Sequence, residues 1–210
     1  MSPLRALLFA SLFTLLFSSV HAATLPVSVD SSNDILPVSV AVKRPLRELQ
    51  TSYVAAEAVR QDEREAYTLL QRRLLNVSES EKPLLRAQAS EQRQRVLFST
   101  LNVLTIIFQR AEYSVDNFDA GLLRMRVKIN SMNSDSIPNS SERLSQLTAS
   151  LASLKEKSSA VSLQLSRAPS SVNLSRDLIQ IKSDLSTLLA EIASFSLAYR
   201  SLAQDIVSRS

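Results

Sequence analysis

The chain of 210 residues has no cysteine and no tryptophan, one histidine and one glycine. Without cysteine there are no disulfides, no thiolate nucleophiles and no Cys-based zinc sites. The single His21 lies in a stretch read below as a removable leader, so the remainder lacks the base of a His-dependent triad. Phosphate-cradling loops need several glycines for close backbone approach, and Gly121 alone cannot build one. A chain this poor in glycine has few tight turns, which favours long helices over sheets. Charge of one sign is also scarce. There are 24 Lys and Arg against 20 Asp and Glu, and removing Arg5 with the leader leaves +3. The charges are interleaved, with no run of five or six alike, so solvated helix faces explain them better than a nucleic-acid or anionic-membrane patch.

What is present is heptad periodicity. Leu97, Leu101, Leu104, Phe108, Ala111, Val115, Phe118, Leu122, Met125, Ile129 and Met132 follow steps of four and three without a miss. That is the seam of a helix packed against other helices. Run back to Pro83, it predicts a rod of about 75 Å at 1.5 Å per residue. The other segments read as elements laid against it.

Met1–Ala22 reads as a secretory signal: Arg5, then the apolar Ala6–Phe17, then small residues around Ala22. The apolar run is shorter than the ~20 residues of a spanning helix. Export to the periplasm, the cell envelope or the medium is therefore expected, with membrane contact only through an uncleaved leader. Residues 23–43 carry Leu25-Pro26-Val27-Ser28-Val29 and again Leu36-Pro37-Val38-Ser39-Val40. This reads as an extended or flexible tail, or as a strand that adds to a partner's sheet. Residues 44–210 read as one helical domain with helices near 45–76, 83–132, 140–167 and 171–208.

The first helix has the stripe Leu46, Leu49, Tyr53, Ala56, Tyr67, Leu70, Leu74 and Val77. Strict register puts Arg60 and Glu63 on its seam. Either the helix rotates to use Val59 and Ala66 or that layer stays wet, with Arg60 and Glu63 an ordinary i,i+3 pair. Ser78 with Glu81, and Asn139 with Glu142, match helix-start signatures. Asn133–Asn139 is the clearest turn. Helix three carries Leu144, Leu147, Leu151, Leu154, Ser158, Val161 and Leu165, and Pro169 stops it. Helix four carries Leu174, Leu178, Ile181, Leu185, Leu188, Ile192, Phe195, Tyr199, Leu202 and Ile206. The fold class is all-α: an elongated antiparallel bundle of coiled-coil-like hairpins from three to four long helices. Counting from the turns sets Phe118 level with Leu154, and Leu154 level with Leu185. Helix one reaches only the first half of helix two, to about Tyr113. Three Asn-x-Ser sequons start at Asn76, Asn139 and Asn173.

From Leu97 to Val207 this pattern resembles a group of uncharacterised exported all-helical envelope proteins of bacteria. They share a leader, a long Leu-periodic helix, a Ser/Asp turn and two further heptad helices. The Ser-rich, acid-poor helix three departs from them, and the resemblance implies no catalytic residues. The chain also superficially resembles periplasmic holdase chaperones of the Skp type, which have a small β body that only Ala23–Val42 could supply.

The functional expectation is a non-enzymatic scaffold, spacer or protein-interaction module, with no catalytic, cofactor or metal residues. Its partner is another copy of itself or an envelope protein; small-molecule substrates are not expected and nucleic acid is disfavoured. A holdase-type chaperone and a weak binder of anionic surfaces are the alternatives. The candidate interface is Leu101, Val103, Leu104, Ile106, Ile107 and Phe108. This window is apolar nearly all round, and the residue count gives it a single neighbour, so part of it is expected to form a bare patch unless helix four or the Leu25–Val40 tail folds over it.

Overall fold

Pro45 fixes the entry to the first helix. Its extended backbone leaves its carbonyl to accept from the amides of Glu48 and Leu49, at 2.9 and 3.2 Å, and Glu48 places a negative charge at the positive end of the helix dipole. In the computed structural model, which describes residues 45–131 and 139–208, this helix is α1, Leu46–Asn76. It is followed by α2, Lys82–Ser131, α3, Ser140–Arg167, a 3₁₀ turn, Ala168–Ser170, and α4, Leu174–Ser208. The described residues contain no strand. The leader, the Leu25–Val40 repeat and most of the Asn133–Asn139 turn lie outside the described residues.

Two helix starts differ from the sequence reading. Ahead of α2, the Ser78 hydroxyl donates to the Glu81 carboxylate at 2.9 Å instead of capping an amide. A charge-assisted bond is the stronger use of that hydroxyl. At α3, Asn139 sits in the left-handed region (φ 55°) and its side chain caps nothing. Asparagine is among the few residues that adopt this conformation readily. Glu142 still lies in the first turn.

The heptad stripes become the core. Every stripe residue of α3 is buried, Ser158 included, as is every one of α4 except the half-buried Tyr199. The largest side chains that are fully buried, Ile181, Leu185, Leu188, Ile192 and Leu202, all belong to α4. Thus α2 is the shared helix, packing on α1, α3 and α4, but α4 supplies the driest seam.

Polar pairs fix the directions. Gln164 bonds Asp184, Lys157 bonds Glu191 and Arg143 bonds Asp205. From the first pair to the second, α3 steps back seven residues while α4 advances seven; the next step is fourteen against fourteen. This is an antiparallel pair in heptad register. Lys155 reaches Asp119 at 2.9 Å across α3 and α2.

One layer assignment is corrected. Phe118 does not lie level with Leu185. Its ring centroid is 4.7 Å from that of Phe195 and 5.4 Å from that of Tyr199. The two helices run parallel, so their side chains lean alike and the ring contact reports backbone height. The shift from Leu185 to Phe195 is ten residues, about 15 Å along α4. Heptad stripes match equally well after a slip of whole turns, and bulk selects among the slips. Gly121 supplies the space: a Cβ there would collide with the Tyr199 hydroxyl and lie 2.8 Å from its Cζ. The helix passes through Gly121 unbroken, so this glycine serves close approach rather than termination.

Candidate interaction site

The six residues of the candidate window do not form an exposed patch. Leu101, Val103, Leu104, Ile106 and Phe108 are buried and Ile107 is half-buried. On one side, Val103 and Ile106 cluster with Ala56 of α1, and Tyr53 and Ile107 pack against them. On the other, the register brings up the α3–α4 corner. Counting back from Lys155–Asp119 sets residues 166–170 level with 104–108, and counting back from Phe118–Phe195 sets residues 181–185 at the same height. The window is apolar all round because two hairpins meet there on different faces of α2. The residue count from the turns set only helix one beside the window and held helix four as the alternative cover; the α3–α4 corner supplies that cover.

Arg110, one turn beyond Ile106 on the face toward α1, is 3% exposed. Its guanidinium lies 5.9 Å from the Tyr53 ring centroid, a cation–π arrangement. Burial pushes its pKa down to about 10, which leaves it charged at neutral pH. Burial also raises Tyr53, with Glu57 adding and Arg60 and Arg110 opposing. Arg60 pairs with Glu57, donating from Nε to Oε2 at 2.8 Å, and not with Glu63. Glu63 instead accepts from Gln92 of α2. Val59 is 53% exposed, so α1 has not rotated to use it; the layer stays polar. Arg110 was hidden in the sequence because it falls on the Val103–Ile106 stripe and not on the Leu104–Ala111 seam.

Among the described residues, no three of His, Cys, Asp and Glu gather as a metal site, and no helix is long and apolar enough to cross a membrane. A shallow groove of about 320 Å³ is lined by Glu112, Ser158, Ser159, Ser162, Leu163 and Ser166. It presents hydroxyls and one carboxylate.

The surface that stands out is the hairpin of the second half of α1 and the first half of α2. Of its seam residues only Leu85 and Ala89 are buried; Tyr67, Leu70, Leu74, Val77, Val96 and Leu97 are half-buried. Leu69 and Leu84 are exposed, and Leu75 is 83% exposed. Two helices shield only one side of each other, whereas α2, α3 and α4 enclose a common seam.

No protein-family model, no curated protein and no solved structure matches the chain.

Proposed function

We propose that the chain is a non-enzymatic helical interaction module, a scaffold or spacer of the cell envelope, that engages a second copy or another envelope protein through the α1–α2 hairpin. The observation that carries the reading is the half-covered seam of Tyr67, Leu70, Leu74, Val77, Val96 and Leu97. A third or fourth helix laid on that seam would bury what two helices leave open, at about 1.5–3 kcal/mol for each aliphatic side chain fully covered. Export enters from the leader-like Met1–Ala22 alone. The same open seam suits a holdase that grips unfolded segments, which is the alternative reading.

In-cell photo-crosslinking from position 75 tests both. Adducts with one envelope protein, or with the chain itself, are expected, and Leu70→Glu with Leu74→Glu should remove them. Adducts spread over many unfolded clients would favour the holdase. No adducts, with a monomer at every concentration in light scattering, would overturn the proposal.

A further inference from the structure

After Asp119, α2 reads Ala120-Gly121-Leu122-Leu123-Arg124-Met125-Arg126-Val127-Lys128-Ile129-Asn130-Ser131, with three cations and no acid. Gly121, Leu122 and Met125 turn into the bundle, and Ile129 is half-buried. Leu123 and Val127 do not. They are 64% and 65% exposed, one turn apart on the outward face. At 100° per residue, Arg124 and Lys128 run along one flank of this pair and Arg126 along the other. Asp119 is engaged by Lys155 and Asp205 by Arg143. Among the described residues none pairs with Arg124, Arg126 or Lys128.

Helix-dipole compensation accounts for Lys128 in the last turn. It does not account for two bare aliphatic side chains set between the cations. We propose that this face of α2 docks on an anionic phospholipid surface, a site separate from the α1–α2 seam. Charge complementarity and shape both favour that occupant. The face is formed by a single helix, and residues 120–131 carry no aromatic side chain on which a base could stack. A plane of phosphates can meet all three long side chains together, while Leu123 and Val127 enter the headgroup boundary and the cations snorkel beside them. Each cation is expected to strengthen binding about five-fold near such a surface.

Flotation of the full chain with vesicles of phosphatidylcholine, with and without phosphatidylglycerol, decides the matter. Comparing the two vesicle types cancels any contribution of the apolar Ala6–Phe17 stretch. Binding to the anionic vesicles is expected to exceed that to neutral ones more than ten-fold and to fade at high salt. The combined Arg124→Gln, Arg126→Gln and Lys128→Gln variant should lose that preference with an unchanged helical spectrum. Removing the same charge from α1, by Arg64→Gln, Arg72→Gln and Arg73→Gln, should leave it intact. Should the α2 variant fail to fold, Leu123→Ser with Val127→Ser replaces it and should weaken binding while keeping its salt dependence. Equal partition onto both vesicle types, equal loss with the α1 set, or retention on heparin without vesicle binding would each overturn the proposal.

Discussion

At the scale of single residues, Gly121 and Tyr199 are in close contact. Alanine is the better helix former by about 1 kcal/mol, so in an open position Gly121→Ala would stabilise. Here the added Cβ meets a ring wedged among Phe118 and Phe195, and overpacking of that kind costs about 1–3 kcal/mol. Net destabilisation of up to about 2 kcal/mol in denaturant unfolding is therefore expected. Tyr199→Phe in the same background should return part of it, since the hydroxyl is the atom met first; a double-mutant cycle reads the coupling. Tyr199 also sets an alkaline limit. Burial raises its phenol above the usual 10, with Arg124 opposing, and Tyr53 is raised too. Between pH 10 and the folded value the native state holds a proton that the unfolded state has lost. The stabilising contribution is thus complete below pH 10 and falls as pH rises through the folded pKa. Arg110, lowered to about 10, acts with the opposite sign in that window, because there the unfolded chain holds the extra proton. Tyr199→Phe separates the two: its unfolding free energy should fall less steeply above pH 10 than that of wild type. An identical slope would place the Tyr199 phenol in solvent.

At the scale of the element, periodicity made the helices legible and left their relative heights open. The stripes of α3 and α4 are buried at every position but the half-buried Tyr199, since a position every 3.5 residues can only be one face of a helix. Ends were legible to within a few residues: α4 begins at Leu174 rather than 171, because the amide of Ser171 turns back to Ala168. Height was not legible, because a heptad stripe carries no mark that distinguishes one turn from the next. The mark was Gly121, the single residue small enough to seat Tyr199, and it reads as a packing site only once the partner ring is in view. The polar layer around Arg60 was legible as a conflict, but Glu57 and Gln92 as its partners were not, since Gln92 sits 29 residues from Glu63. The candidate window was legible as apolar and illegible as interior, for its second cover comes from the α3–α4 corner. Register is open to a direct check. Cysteines at 118 and 195 should be joined by a short bismaleimide in the folded chain, and cysteines at 118 and 185 should not. The reverse result would restore the height counted from the turns.

At the scale of the whole molecule, burial is uneven, and stability should follow it. The described residues of the compact unit Lys43–Ser210 have their largest fully buried side chains in α4, while α1 contributes Leu49 and Ala56 alone to the buried set. Local opening scales with the apolar contacts it breaks. Hydrogen exchange is therefore expected to be graded along α2, with amides of residues 85–97 exchanging well before those of 103–125, although one continuous helix holds both. Residues 60–76 of α1 should exchange with the former, and 178–202 of α4 with the slowest. A partner that covers the α1–α2 seam would slow the opening of this less covered hairpin, so its imprint is protection at 60–76 and 85–97 with little change in α4. Self-association predicts the same imprint from protein concentration alone. Uniform exchange along α2 would mean that the hairpin is as tightly held as the three-helix seam. Its half-buried side chains would then be ordinary surface, and the case for a docking role at that end would go with them.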